Sequence, residues 1–140
     1  MSDKFFLDTN IFVYSFDKSA PEKARRALKL IRRAIEKRQG IVSYQVVQEF
    51  FNMALRRFDE PMLSTDAEQY LSTTFRPLLA VQSSHGLYSR SLQLATRYSL
   101  PWYDALIVAS AIEGHCGILY SEDFQCGQRF NGLRIENPFL

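Results

Sequence analysis

Cysteine is scarce in this chain, with only Cys116 and Cys126 among 140 residues. Two cysteines at that spacing form neither a disulfide framework nor a zinc-type motif, so the expectation is a cytoplasmic protein with reduced thiols. Histidine is equally rare, at two, which leaves no Cys/His cluster to compete for a metal. No run approaches the roughly 20 apolar residues of a membrane span, and the N-terminus carries no signal-peptide pattern. No membrane partner is expected. Six glycines and five prolines are too few for a disordered or low-complexity chain. Net charge is only +2, which by itself points to no partner.

What is present reads as one globular domain over residues 1–140. The chain is 46% hydrophobic and 23% charged, and a domain of this length buries roughly 68–70% of its unfolded surface. Charge is unevenly spread. Residues 22–38 hold eight Lys/Arg against two Glu, while the rest of the chain holds nine basic and thirteen acidic residues. One segment is strongly basic and the remainder mildly acidic.

The most informative stretch is Phe5-Phe6-Leu7-Asp8-Thr9-Asn10. A short apolar run ending on a carboxylate, a hydroxyl and an amide reads as a buried parallel strand with polar groups at its carboxyl end. That end is where α/β proteins bind ligands. Asp8 is either an active-site acid or a helix cap, since Asp, Thr and Asn all cap well. Pro21 then opens a helix with Ala24, Ala27, Leu28, Ile31, Ala34 and Ile35 on one stripe. Its other faces are basic, either as a solvated surface or as a phosphate-binding one. Gln39-Gly40 stops it, Ile41-Val42 is a second strand, and Ser43 caps a helix from Tyr44 to about Arg57. Glu49 lies on the border of that helix's apolar stripe and needs a hydrogen bond, a base or a metal as partner.

A further helix runs from Ser64 or Thr65 to about Phe75, followed by a strand at residues 78–81 and a helix started by Ser83 or Ser84. Pro101-Trp102-Tyr103-Asp104 opens another, in which every residue from Ala105 to Ile112 except Ser110 is apolar. An acid at the head of a helix buried nearly all round points to function rather than to capping alone. Gly117–Tyr120 is a fourth buried strand ending on Ser121-Glu122-Asp123, and it repeats the pattern of the first. Residues 124–132 read as a loop and Leu133–Ile135 as an edge strand. Alternating strands and helices give right-handed βαβ units and a parallel sheet covered by helices. Asp8, Glu49, Asp104 and Asp123 then converge on one sheet edge. Two carboxylates 4 Å apart repel by about 4 kcal/mol at an effective dielectric of 20. Such a set is therefore partly protonated or holds a divalent cation, with Mg²⁺ or Mn²⁺ favoured by oxygen donors. The residues alone lead to a metal-dependent phosphodiesterase.

Taken in order, Phe6-Leu7-Asp8-Thr9-Asn10, Glu49, Tyr103–Ala111 and Ser121-Glu122-Asp123 resemble the signature of PIN-domain nucleases. The ending Gly132–Phe139 resembles the VapC-like toxin branch. The resemblance implies a three-layer α/β/α sandwich around a parallel sheet of about five strands. It also implies a Mg²⁺- or Mn²⁺-dependent ribonuclease acting as the toxin of a toxin–antitoxin pair, with an antitoxin partner and a homodimer. Asp8, Glu49 and Asp104 match the acidic triad and Asp123 the fourth acid, with Asp8, Asp104 and Asp123 on the metal. Thr9, Asn10 and Ser121 order the site. The last motif departs in carrying two adjacent acids. These point oppositely if the strand persists, and Asp123 is taken as the one that faces the metal. If the basic helix tracks RNA, Arg25, Arg26, Lys29, Arg32 and Arg33 are the residues to do it. A haloacid-dehalogenase-like phosphatase needs a second Asp where this chain has Asn10. A non-catalytic RNA-binding or interaction module on the same fold remains the alternative.

Overall fold

The computed structural model describes residues 3–140. Phe5, Phe6 and Leu7 form β1 (Phe5–Leu7), with all three side chains buried. A strand buried on both faces belongs in the middle of a sheet, and β1 is there. It pairs in parallel with β2 (Gly40–Ser43) on one side and β4 (Ile118–Tyr120) on the other. Beyond β2 lies β3 (Leu79–Val81), also parallel. Beyond β4 lies β6 (Leu133–Glu136), parallel, and then β5 (Arg129–Phe130), antiparallel to β6. The order β3-β2-β1-β4-β6-β5 makes a mostly parallel sheet of six strands, close to the expected five or so, with β5 the one antiparallel addition among the described residues. The added strand lies within the 124–132 segment expected to be a loop. Phe130 and Leu133 pair across a two-residue turn in which Asn131 takes a left-handed φ of 56°.

Helices connect the strands: α1 (Thr9–Tyr14), α2 (Pro21–Glu36), α3 (Tyr44–Ala54), α4 (Ser64–Tyr70), α5 (Arg76–Leu78), α6 (His85–Tyr98) and α7 (Trp102–Glu113). The α/β/α layering is as expected. In α2 the buried residues are Ala27, Leu30, Ile31 and Ala34, so the stripe includes Leu30 and leaves Leu28 in solvent. Close approach sets where α2 sits. A Cβ on Gly40 would lie 2.1 Å from the Ala34 Cβ, so only glycine lets the helix pack against β2. Residues 65–75 are not one regular helix, because the chain widens into a π-helical turn at Leu71–Phe75.

The serine caps divide. Ser84 accepts from the Leu87 amide, whereas the Ser43 hydroxyl is buried without a partner and Leu63 stands at the cap position of α4. Helix α7 is buried from Ala105 to Ala111. No described helix is long and apolar enough to cross a membrane.

Candidate active site

Strand order reverses between β1 and β4. That switch point opens a crevice at the carboxyl ends of the strands, and the chain leaves both strands there with polar residues. Asp8 follows β1 directly, and its amide donates to the Tyr120 carbonyl at the end of β4. Its carboxylate caps α1 through Oδ1, which accepts from the Thr9 amide at 2.7 Å. Oδ2 accepts from the Ser121 hydroxyl at 2.7 Å. Capping and a site role are thus not alternatives here. Each carboxylate oxygen keeps a further lone pair after these bonds.

Asp8 lines a cavity of about 470 Å³ together with Thr9, Asn10, Glu49, Asp104 and Asp123. Helix α3 brings Glu49 to the cavity, where Oε1 accepts from the Thr9 hydroxyl at 2.7 Å. The first turn of α7 brings Asp104, and the bend after β4 brings Asp123. Burial pushes the Asp8 carboxyl up from 3.8 to about 7, despite the hydrogen bonds from Ser121 and Thr9 that oppose it. Asp104 is raised by burial and then by the charges of Asp123 and Glu49. Asp123, more exposed, is raised by the same burial effect and by Glu122 and Glu49, with Asn10 drawing it back. All three shifts come first from burial, with the charges of neighbouring acids adding to them. The ion pairs Lys18–Glu60, Lys23–Glu122, Arg25–Glu22, Arg26–Glu22 and Arg134–Glu136 leave these four acids out.

Of the ordering residues, Thr9 and Ser121 bond the acids directly. Asn10 lines the cavity with both amide atoms buried and lacking a well-formed hydrogen bond. Glu122 turns away from the cavity. Its Oε1 accepts from the Tyr14 hydroxyl and its Oε2 pairs with Lys23 at 3.4 Å. The strand has already ended at Tyr120, so this separation of the two acids comes from the bend and not from strand alternation.

Gln45 was not anticipated. Its buried amide donates to Glu49 Oε2 at 3.4 Å and to the Tyr103 carbonyl at 3.2 Å, tying α3 to the head of α7. The signal was its position four residues before Glu49, one helical turn away. The basic residues of α2 lie outside the cavity. Arg25 and Arg26 are bonded to Glu22, and Arg26 also donates to the carbonyls of Pro138 and Leu140. Arg33 lies 4.8 Å over the Phe5 ring. Lys29 and Arg32 are exposed beside a shallow hollow shared with Arg25 and Arg33.

A divalent cation is tested by the donor set. Among the described residues, no three His, Cys, Asp or Glu side chains are gathered tightly enough to hold a metal ion as they stand. Mg²⁺ does not demand such a cage, since it keeps several waters and binds through one or two carboxylates. Carboxylate oxygens left out of the ion pairs above, one of them on a carboxyl raised to about 7 by burial, fit that mode.

The PIN domain family model matches residues 5–127, a span that contains all four acids. The chain belongs to the PIN domain family. Among solved structures, this PIN domain is similar to a toxin–antitoxin complex from Klebsiella pneumoniae, at 21% identity and a TM-score of 0.66, over 96% of this chain and 98% of that one. It is also similar to VapBC2 from Rickettsia felis bound to a promoter DNA fragment, at 19% identity and 0.63, over 95% and 97%. A third is VapC20 from Mycobacterium tuberculosis, a sarcin–ricin loop cleaving toxin, at 18% identity and 0.54, over 86% and 90%. At these identities the likeness is one of fold. No curated protein sequence matches the chain significantly.

Proposed function

We propose that this PIN domain is a Mg²⁺- or Mn²⁺-dependent endoribonuclease and the toxin of a toxin–antitoxin pair. The observation that carries the reading is one cavity lined by Asp8, Glu49, Asp104 and Asp123, with no basic side chain among the described residues ion-paired to them. The named activity of the Mycobacterium tuberculosis neighbour and the antitoxin complexes from the other two organisms support the substrate class and the partner. An antitoxin, a homodimer and a cytoplasmic setting belong to the same proposal.

Asp8, Asp104 and Asp123 would hold the cation. When bound, it would offset phosphate charge and lower the pKa of water toward neutrality. The chain's own residues prepare that site. Ser121 and the Thr9 amide fix the Asp8 carboxylate and leave its outer lone pairs toward the cavity. Thr9 holds Glu49 through its hydroxyl, and Gln45 fixes the second Glu49 oxygen. Glu49 is thereby oriented to accept a proton at a carboxylate oxygen. Purified protein is expected to cut RNA with Mg²⁺ or Mn²⁺ and to stop with EDTA. Asp104→Asn should lower kcat by at least about 100-fold, the scale of a lost acid–base or charge-stabilising group, without unfolding. Full activity in Asp104→Asn would overturn the assignment. Metal and RNA binding without cleavage would favour the non-catalytic module.

A further inference from the structure

Glu122 sits next to Asp123 and has the chemistry of a metal ligand, yet it is fully engaged elsewhere. Three parts of the chain meet around it. Tyr14 at the end of α1 donates its hydroxyl to Glu122 Oε1. Lys23 in the first turns of α2 pairs with Oε2 at 3.4 Å and reaches the Tyr14 hydroxyl at 3.4 Å. The Lys23 ammonium lies 4.5 Å above the Tyr14 ring and 5.6 Å from the ring of Phe139. Those two rings meet edge to face at 4.9 Å. Tyr14 itself lines the acid cavity, so this cluster stands at the rim of the site.

A flexible cation beside uncompensated carboxylates is a hazard for a metal site. The Lys stem is long and carries a compact charge, and at its part-exposed position opposite charges still attract. Left free, Lys23 would move toward the acids and compete with any divalent cation. In the structure its ammonium is paired with Glu122 Oε2 at 3.4 Å, and Lys23 does not line the acid cavity.

We infer that Glu122 is a positioning residue that restrains Lys23, with Tyr14 and Phe139, and so keeps the acid cavity open to a divalent cation. The inference rests on the metal-dependent reading above. It assigns the paired acids of the last motif different tasks: Asp123 faces the cavity, and Glu122 neutralises the one cation drawn to its rim among these contacts.

The test is Mg²⁺ and Mn²⁺ binding by the full chain, read as calorimetric affinity and as the metal-induced shift in Tm. Glu122→Gln keeps an acceptor for Tyr14 but releases Lys23, and affinity should fall about tenfold, the lower range for loss of a residue that supports metal ligands. Lys23→Met removes the competing cation and keeps the apolar stem, so affinity should equal or exceed wild type. The double variant should recover wild-type affinity, which neither a direct ligand role nor simple structural damage would produce. A double variant as weak as Glu122→Gln would overturn the inference while wild-type binding left the metal site standing. Loss of affinity in Lys23→Met would overturn it too. A wild type that binds neither cation would remove the metal reading and the inference with it.

Discussion

Asp8 caps α1 and accepts from Ser121 with one buried carboxylate. Its carboxyl is pushed up to about 7 from 3.8, chiefly by burial. A raised carboxyl favours the folded state while it is neutral. Its stabilising contribution is complete below about 3.8 and is lost as pH rises through about 7. The full difference is on the order of 4 kcal/mol. In EDTA at pH 8, Asp8→Asn should therefore be more stable than wild type, by about 1 kcal/mol or more. The gain is less than the full amount because an amide cannot accept from both the Thr9 amide and Ser121. At pH 5 the advantage should shrink, since Asp8 is then already neutral. Chemical denaturation of both proteins at the two pH values tests this, and a mutant weaker than wild type at pH 8 would count against uncompensated acids. Asp8, Thr9 and Asp104 were legible in sequence because each marks an abrupt change from apolar to polar at a strand or helix end. The division of labour between Glu122 and Asp123 was not, because it depends on Tyr14 and Lys23, which are 108 and 99 residues away from Glu122.

Helix α2 shows what periodicity can and cannot supply. Its basic and apolar faces follow from 3.6-residue spacing, yet which apolar residues are covered depends on the sheet beneath. Gly40→Ala should cost about 1–3 kcal/mol as an overpacked contact with Ala34, seen as a lower denaturation midpoint. On the outer face, Arg25 and Arg26 are partly spoken for by Glu22, which leaves Lys29 and Arg32 as the cleaner probes of RNA contact. Replacing both with Gln should weaken single-stranded RNA binding and reduce the slope of log K against log salt by roughly 1.4, at about 0.7 per contact. An unchanged slope would mean that this face is only solvated. Strand β5 went unread because Arg129–Phe130 is too short to show alternation. The cue was the Asn131-Gly132 pair beside it, a strong hairpin signal. The break at Leu71–Phe75 had no such cue, since nothing in Leu-Ser-Thr-Thr-Phe forbids a regular helix.

At the scale of the whole molecule, the site belongs to the sheet order more than to any one element. Asp8 and Asp123 meet because β1 and β4 are neighbours, with β2 and β3 on one side and β6 and β5 on the other. Alternation of strand and helix made the layered class legible, but pairing order leaves no trace in local pattern. A cation that binds only the folded state raises its stability by mass action. Mg²⁺ should thus raise the Tm of wild type and raise that of Asp8→Asn much less, as differential scanning calorimetry would show. The same pairing has a consequence for synthesis. The central strand precedes the other strands of this domain, yet its partner β4 follows both β2 and β3, and Asp8 bonds Ser121 across 113 residues. Contacts so distant in sequence carry a loop-closure cost and slow folding. On the ribosome, the nascent chain carries Asp8 long before it has β4, Ser121 or Asp123. A partial chain that ends before β4 therefore holds no assembled acid cavity, because it lacks Ser121 and Asp123.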